Sequence, residues 1–196
     1  LQHFRTDFKN LSKDFIALHP EDVKAIMPKI IFDRKVSDDY WMPTSAKGDA
    51  EVLGSGGTTQ DQGGVKLVKL RSDPSQSFAM KEMSTLDQDA EYFVNEIQYS
   101  LLLDHPNICK TRQVFENKEI GSLYMIMDLM KGKDMFDRVN SMPGRQLSEL
   151  EALQTVKTMT ETIAFMHSHH ICHRDLKLEN WMWSKKFQEG GVLKLI

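Results

Sequence analysis

The stretch His173-Arg174-Asp175-Leu176-Lys177-Leu178-Glu179-Asn180 gathers, within one loop, the groups that phosphoryl chemistry uses. Asp175 offers a carboxylate that can orient a hydroxyl, and Asn180, five residues on, offers an amide oxygen for a divalent cation. Lys177 lies between them and brings positive charge to a phosphoryl group. Immediately upstream, Ser148 and Glu151 form the S-x-x-E capping box of a helix predicted to run to about His167.

Further toward the N-terminus, Phe78-Ala79-Met80-Lys81 places a lysine inside an apolar strand, where an ammonium is costly unless an anion meets it. Glu96, close to the apolar stripe of the following helix, is the candidate partner; the alternative is a solvated Glu on a helix face. Gly54-Ser55-Gly56 and Gly63-Gly64-Val65 lie between two predicted strands, so the backbone there can approach a phosphate closely, or can simply turn a hairpin. The predicted strands are Glu51 to Leu53, Val65 to Leu70 and Ser77 to Glu82, with Asp73-Pro74 turning the chain between the last two. A helix is predicted from Asp87 to Leu103, ending at Asp104-His105-Pro106 because proline cannot continue it. Val114 to Glu116 and Ser122 to Leu129 add two strands, and near residue 130 strand-rich sequence gives way to helix-rich sequence.

At the start of the chain, Phe4, Phe8, Leu11, Phe15 and Leu18 recur at helical spacing. Pro20 then opens a second helical run carrying Val23, Ile26, Met27 and Ile30. These helices read as a pair packed on the neighbouring domain or as an extension that docks a regulatory partner. Residues 33 to 51 lack periodicity and read as a linker, so the main domain is expected to begin near Glu51.

Composition narrows the partners. The 196 residues are 40% hydrophobic and 27% charged with a net charge of -3, which describes a globular chain and points to neither nucleic acid nor an anionic membrane surface. The apolar stretches, such as Tyr124 to Met127, are far shorter than the ~20 residues of a membrane span. Two cysteines without C-x-x-C spacing favour a reducing compartment, and the cytoplasm is expected. His167, His169, His170, Cys172 and His173 do not follow zinc-site spacing. Asp87 to Glu91 begins like a calcium loop, but Tyr92 and Gln98 occupy the positions that need Gly and Glu. A dinucleotide fold is disfavoured because its glycine turn opens a helix, whereas here a strand follows.

Taken together, HRDLKLEN, AMK, the glycine cluster and Glu96 resemble, in order and spacing, the motifs of eukaryotic protein kinases over residues 51 to 196. His105 to Ile108 (HPNI), GKDMFDRV and the DLKxEN form resemble the calcium/calmodulin-dependent and calcium-dependent Ser/Thr group. The resemblance implies an α+β two-lobed fold, with a five-stranded antiparallel small lobe carrying one helix and the start of a helical large lobe. It implies domains at 1–50, 51–129 and 130–196, and transfer of the ATP γ-phosphoryl group to Ser or Thr of a protein substrate with Mg²⁺. By resemblance, Gly54, Gly56 and Gly63 cover the phosphates, while Val65, with Leu53 and Ala79 nearby, contributes to the ATP site. Lys81 contacts the α and β phosphates and pairs with Glu96, Asp175 is the catalytic base, Lys177 touches the transferred phosphate and Asn180 ligates Mg²⁺. Met127 takes the gatekeeper position, Asp128 to Met130 offer backbone groups to adenine, and Asp134 stands where many relatives bind ribose.

Three departures from the family pattern stand out. Thr59 occupies the position of the third glycine, so TTQDQ reads as an insertion before Gly63. Leu178 replaces a frequent proline, and Trp181-Met182-Trp183 is bulkier than the usual aliphatic run. Leu193 to Ile196 resembles the strand that in the family leads into the metal-binding Asp-Phe-Gly, which is not among these residues, and residues 1–196 alone are expected not to transfer phosphate. The inserted glycine loop and the missing metal-binding Asp favour, as the alternative, a pseudokinase or nucleotide-binding regulatory module.

Overall fold

Alternating apolar residues and short turns build the first half of the chain into a sheet. The computed structural model describes residues 24–44, 50–54, 64–84, 90–117 and 119–196. The chain separates into two units, residues 1–102 with 111–127, and residues 103–110 with 128–196.

In the first unit the elements are β1 (Ile30–Ile31), α1 (Val36–Asp39), β2 (Tyr40–Trp41), β3 (Val52–Gly54), β4 (Val65–Leu70), β5 (Ser77–Ser84), α2 (Ala90–Leu102), β6 (Thr111–Asn117) and β7 (Ser122–Asp128). The strands form one seven-stranded sheet in the order β1-β6-β7-β5-β4-β2, with β3 also pairing with β4. The predicted hairpins are present: Lys66 faces Met80 across β4 and β5, and Val114 faces Met125 across β6 and β7. The Asp73-Pro74 turn is closed by Asp73, whose carboxylate accepts from Ser75 Oγ at 2.6 Å and Gln76 Nε2 at 2.8 Å. Those bonds hold the Asp73 carboxyl below its ordinary pKa.

Because side chains alternate along a strand, the sheet buries a core on each face. Met83, Val114, Leu123 and Met125 meet Ile97 and Leu101 of α2 on one face, together with Ile26 and Ile30. On the other face Val68, Met80, Phe115 and Ile126 enclose Tyr40. Tyr40 belongs to the strand at one end of the sheet order, yet its hydroxyl reaches Gln113 Oε1 on β6 at 2.8 Å and its ring stacks edge-on against Phe78 and Phe115. The sheet therefore curls until its two ends share one interior.

The N-terminal expectations change here. The first predicted helix, over Phe4 to Leu18, lies outside the described residues, as does Val23. The second helical run ends earlier than its periodicity predicts: Met27–Lys29 is a single 3-10 turn, and Ile30 starts β1. The segment read as a linker carries α1 and β2, the latter pairing antiparallel with β4, while β1, in the run read as helical, pairs in parallel with β6. The five expected strands are present and two short ones extend the sheet, one of them parallel.

The second unit holds α3 (Met135–Asn140), α4 (Glu149–Ser168), β8 (Trp181–Trp183) and β9 (Leu193–Leu195). Ser148 Oγ accepts from Glu151 N at 3.2 Å, as the capping box predicts. The Glu151 carboxylate meets the Arg138 guanidinium, joining α4 to α3. β8 and β9 form an antiparallel ribbon, to which Leu103–Lys110 is tied through Leu195 N to Asn107 O at 2.8 Å and Asn107 Nδ2 to Leu193 O at 2.8 Å. The bulky run at 181–183 is accommodated locally: Trp181 is buried, Trp183 packs edge-on against Phe187, and Arg138 lies over the Phe187 ring. Gly132 lies against Trp183 and Lys185 so closely that any Cβ would collide with them. Only glycine fits there.

Candidate active site

Lys81 stands on the α2-facing side of β5, the side of Ala79 and Met83. Its Nζ lies 2.6 Å from Glu96 Oε1, and both side chains are partly buried. The predicted pair is therefore formed, and the reading of Glu96 as a merely solvated helix residue is set aside. What turns Glu96 toward the sheet is the burial of its neighbour Ile97, which anchors α2 in the core. On the opposite side of the same strand, Glu82 pairs with Lys66 Nζ at 3.1 Å and receives the Tyr124 hydroxyl, which burial and Glu82 push above its ordinary pKa.

The loop after α4 enters through two residues in the left-handed region, His170 at φ 60° and Arg174 at φ 67°. Non-glycine residues hold such angles only where neighbours over-determine them. His173 supplies part of that frame, with Nε2 3.0 Å from Ile196 O, and Ile196 N donates to Asn180 O at 2.9 Å. Within the loop, Asn180 Nδ2 donates to Asp175 O at 2.7 Å and to Asp175 Oδ2 at 3.0 Å, while Lys177 Nζ lies 2.8 Å from the same carboxylate oxygen. The hydrogen bonds from Lys177 and Asn180 hold the Asp175 carboxyl below its ordinary pKa, and Asp175 raises that of Lys177. Asp175 is thus an ionised, exposed carboxylate at neutral pH. Since the Asn180 amide nitrogen is engaged by Asp175, its Oδ1 is the atom available to a cation.

The other predicted site residues distribute over both units. Gly54 ends β3 opposite Val65, Leu53 is exposed, Val65 is half-buried and Ala79 is buried. Gly56 and Gly63 lie outside the described residues, as does the TTQDQ insertion. Met127 packs at the margin of the α2-facing core. The Asp128 N–H donates to Lys110 O at 3.0 Å and its carbonyl receives the Cys109 thiol at 3.5 Å, and Met130 is half-buried. Asp134 is the N-cap of α3, its Oδ1 accepting from Asp137 N at 2.7 Å, a role that the S/T/D/N preference for helix starts could have flagged.

Sequence reasoning did not anticipate His173 bonding to the end of β9, nor Gly132 beneath Trp183. The first joins distant segments. The second could have been suspected from glycine beside an unusually bulky run.

Residues 49–196 match the family described as protein kinase domain, and the chain belongs to that family. Among curated relatives, the chain is 28% identical over 145 residues to calcium/calmodulin-dependent protein kinase type 1 of Macrobrachium nipponense, covering 73% of this chain and 40% of that protein. It is 38% identical over 118 residues to serine/threonine-protein kinase SIK1 of Mus musculus, covering 59% of this chain and 15% of the relative. Among solved structures, the twitchin kinase region of C. elegans superposes with a TM-score of 0.68 at 30% identity, covering 85% of this chain and 27% of that one. The chain therefore spans two fifths or less of the length of these relatives. The α+β kinase fold expected from the motifs is the fold observed.

Proposed function

We propose that the protein is a Ser/Thr protein kinase of the calcium/calmodulin-dependent-like group, transferring the γ-phosphoryl group of ATP to a protein hydroxyl. The observation that carries the reading is the Asp175 carboxylate held in place by Lys177 and Asn180, in a chain whose strand lysine is already paired with its helix glutamate. The Ser/Thr and calcium/calmodulin-dependent assignment rests on the relatives named above.

In this reading Lys81, oriented by Glu96, holds the α and β phosphates, with Gly54, Gly56 and Gly63 over them. Leu53, Val65, Ala79, Met127 and the backbone at Asp128 and Met130 border the adenine, and Asp134 stands near the ribose, offering its second carboxylate oxygen. Asp175 orients the substrate hydroxyl and takes its proton as the oxygen bonds to the γ-phosphorus. The β–γ bridging oxygen leaves with ADP, and Lys177 neutralises charge on the moving group. Among the described residues no three His, Cys, Asp or Glu side chains gather as a metal cage. Of the described residues, Asn180 would hold a bound Mg²⁺ through its Oδ1. Bound there, Mg²⁺ would offset the negative charge of the phosphates. The small lobe in this reading comprises residues 51–129 together with β1 and β2, and the large lobe begins at residue 130.

Among the described residues no helix is long and apolar enough to cross a membrane. Two cysteines without C-x-x-C spacing fit a reducing compartment, and in this reading the setting is cytoplasmic.

The test is transfer from radiolabelled ATP with Mg²⁺ by the full-length protein, alongside nucleotide-induced thermal shift. Asp175→Asn is expected to lower transfer by about 10²- to 10⁴-fold while keeping the thermal shift. Wild-type turnover in that variant would overturn the assigned role of Asp175.

A further inference from the structure

The N-terminal segment that reads as an appendage makes its most specific contact with the helix that carries Glu96. Lys29 Nζ donates to the carbonyl of Leu101 at 3.0 Å, in the last turn of α2. That turn has no basic residue of its own. The last carbonyls of a helix lack intrahelical donors and carry the negative end of its dipole, so an external ammonium is well placed there. On either side of Lys29, Ile26 and Ile30 are almost fully buried against Ile97 and Leu101.

This contact is fixed from outside α2. Ile30 and Ile31 pair with Val114 and Phe115 on β6. Beyond β1, Lys35 pairs with Glu119 at 3.0 Å, Arg71 Nε donates to Ser37 O at 2.7 Å, and Tyr40 locks the far end of the segment into the curled sheet. The segment and Lys81 are therefore carried by one sheet, while Glu96 is carried by the helix clamped between them. Glu96 lies five residues from Leu101, about 7.5 Å along the axis, so any slide or rotation of the clamped end is felt at the carboxylate.

We propose that Ile26, Lys29 and Ile30 are positioning residues for the Lys81–Glu96 pair, forming an intramolecular brace that sets α2 against the sheet. The brace acts through α2 and touches no reacting group. Its effect on transfer rests on the kinase reading above, whereas its hold on α2 does not. For Ile26 and Ile30 the contacts fit the reading of the N-terminal run as packed on the neighbouring domain.

A double-mutant cycle in the full-length protein tests this. Lys29→Met keeps the aliphatic stem and removes the donor. It is expected to lower kcat/KM for ATP by about fivefold, the scale of a helix-terminal cation, with Lys29→Arg restoring most of the loss. In a Glu96→Gln background, where the pair is already broken, the same change is expected to cost less than about twofold. Equal losses in both backgrounds, or no loss with Glu96 intact, would overturn the proposal. Amide hydrogen exchange over residues 96–102 supplies a second reading independent of turnover. Faster exchange there in Lys29→Met and in Ile26→Ala supports the brace, and unchanged exchange refutes it. Should the wild-type protein fail to transfer phosphate at all, the kinase reading falls while exchange still decides whether the brace holds α2.

Discussion

The two units assemble their candidate site residues in opposite ways. In the second unit Asp175, Lys177 and Asn180 come from one short loop, and each is held by a bond to another member or to the adjoining strand. In the first unit Lys81 and Glu96 stand fifteen residues apart on a strand and a helix, and they meet only because Ile97 and Leu101 bury against the sheet. A local constellation is robust to movement of the elements around it. A constellation that spans two elements can be made or unmade by a small shift of one of them, which in the proposed kinase reading makes the first unit the place for control of activity.

That contrast can be broken or sharpened by measurement. The largest effect is expected from Glu96→Gln, which should lower phosphate transfer by about tenfold while leaving the loop of the second unit unchanged. The comparison fails if its amide exchange at residues 173–180 rises as much as that at residues 96–102.

A smaller effect is expected from Tyr40→Phe, which removes the hydroxyl bonded to Gln113 but keeps both ring contacts. Loss of about 1 kcal/mol in urea unfolding is expected. No change in the midpoint would show that the curled sheet does not depend on the cross-sheet bond.

The smallest effect concerns pH. Burial, and then Lys194, hold the His105 imidazole below its ordinary pKa, and its Nδ1 accepts from Asn107 N at 3.1 Å. Because the folded protein binds this proton less readily than the unfolded chain, the contribution is fully present above about pH 6.5 and declines as pH falls through the folded value. The wild-type melting temperature should therefore fall more between pH 7.5 and 5.5 than that of His105→Gln. Equal slopes would remove His105 from the account. Asp175 has the opposite chemistry and a lower window: its depressed pKa keeps it ionised until pH falls below the usual carboxylate range, so it adds nothing to the slope between 7.5 and 5.5.

Legibility in the sequence followed the range of the interaction. β4 begins and ends where alternation and turn residues place it, and α4 starts at the predicted Ser148 cap. The loop at His173 to Asn180 was readable because its chemistry is contiguous. By contrast, β1 and β2 are two residues each, too short to show a period, and both exist through partners elsewhere on the sheet. Ile30 illustrates the error: its spacing from Ile26 fits a helix, but an open edge of β6 captured it as strand. The Glu96 partner was named but remained ambiguous, because helical spacing alone does not say which face meets the sheet.

What the sequence determined by itself was the set of reactive groups and their order along the chain, because motif chemistry and turn residues act over a few positions. Only the tertiary structure decided that Glu96 faces Lys81, that Asn180 turns its amide nitrogen to Asp175, and that Lys29 caps the helix between the core and the brace. These depend on burial and on partners up to seventy-two residues away, and a free energy set by packing across elements leaves no periodic trace in the sequence.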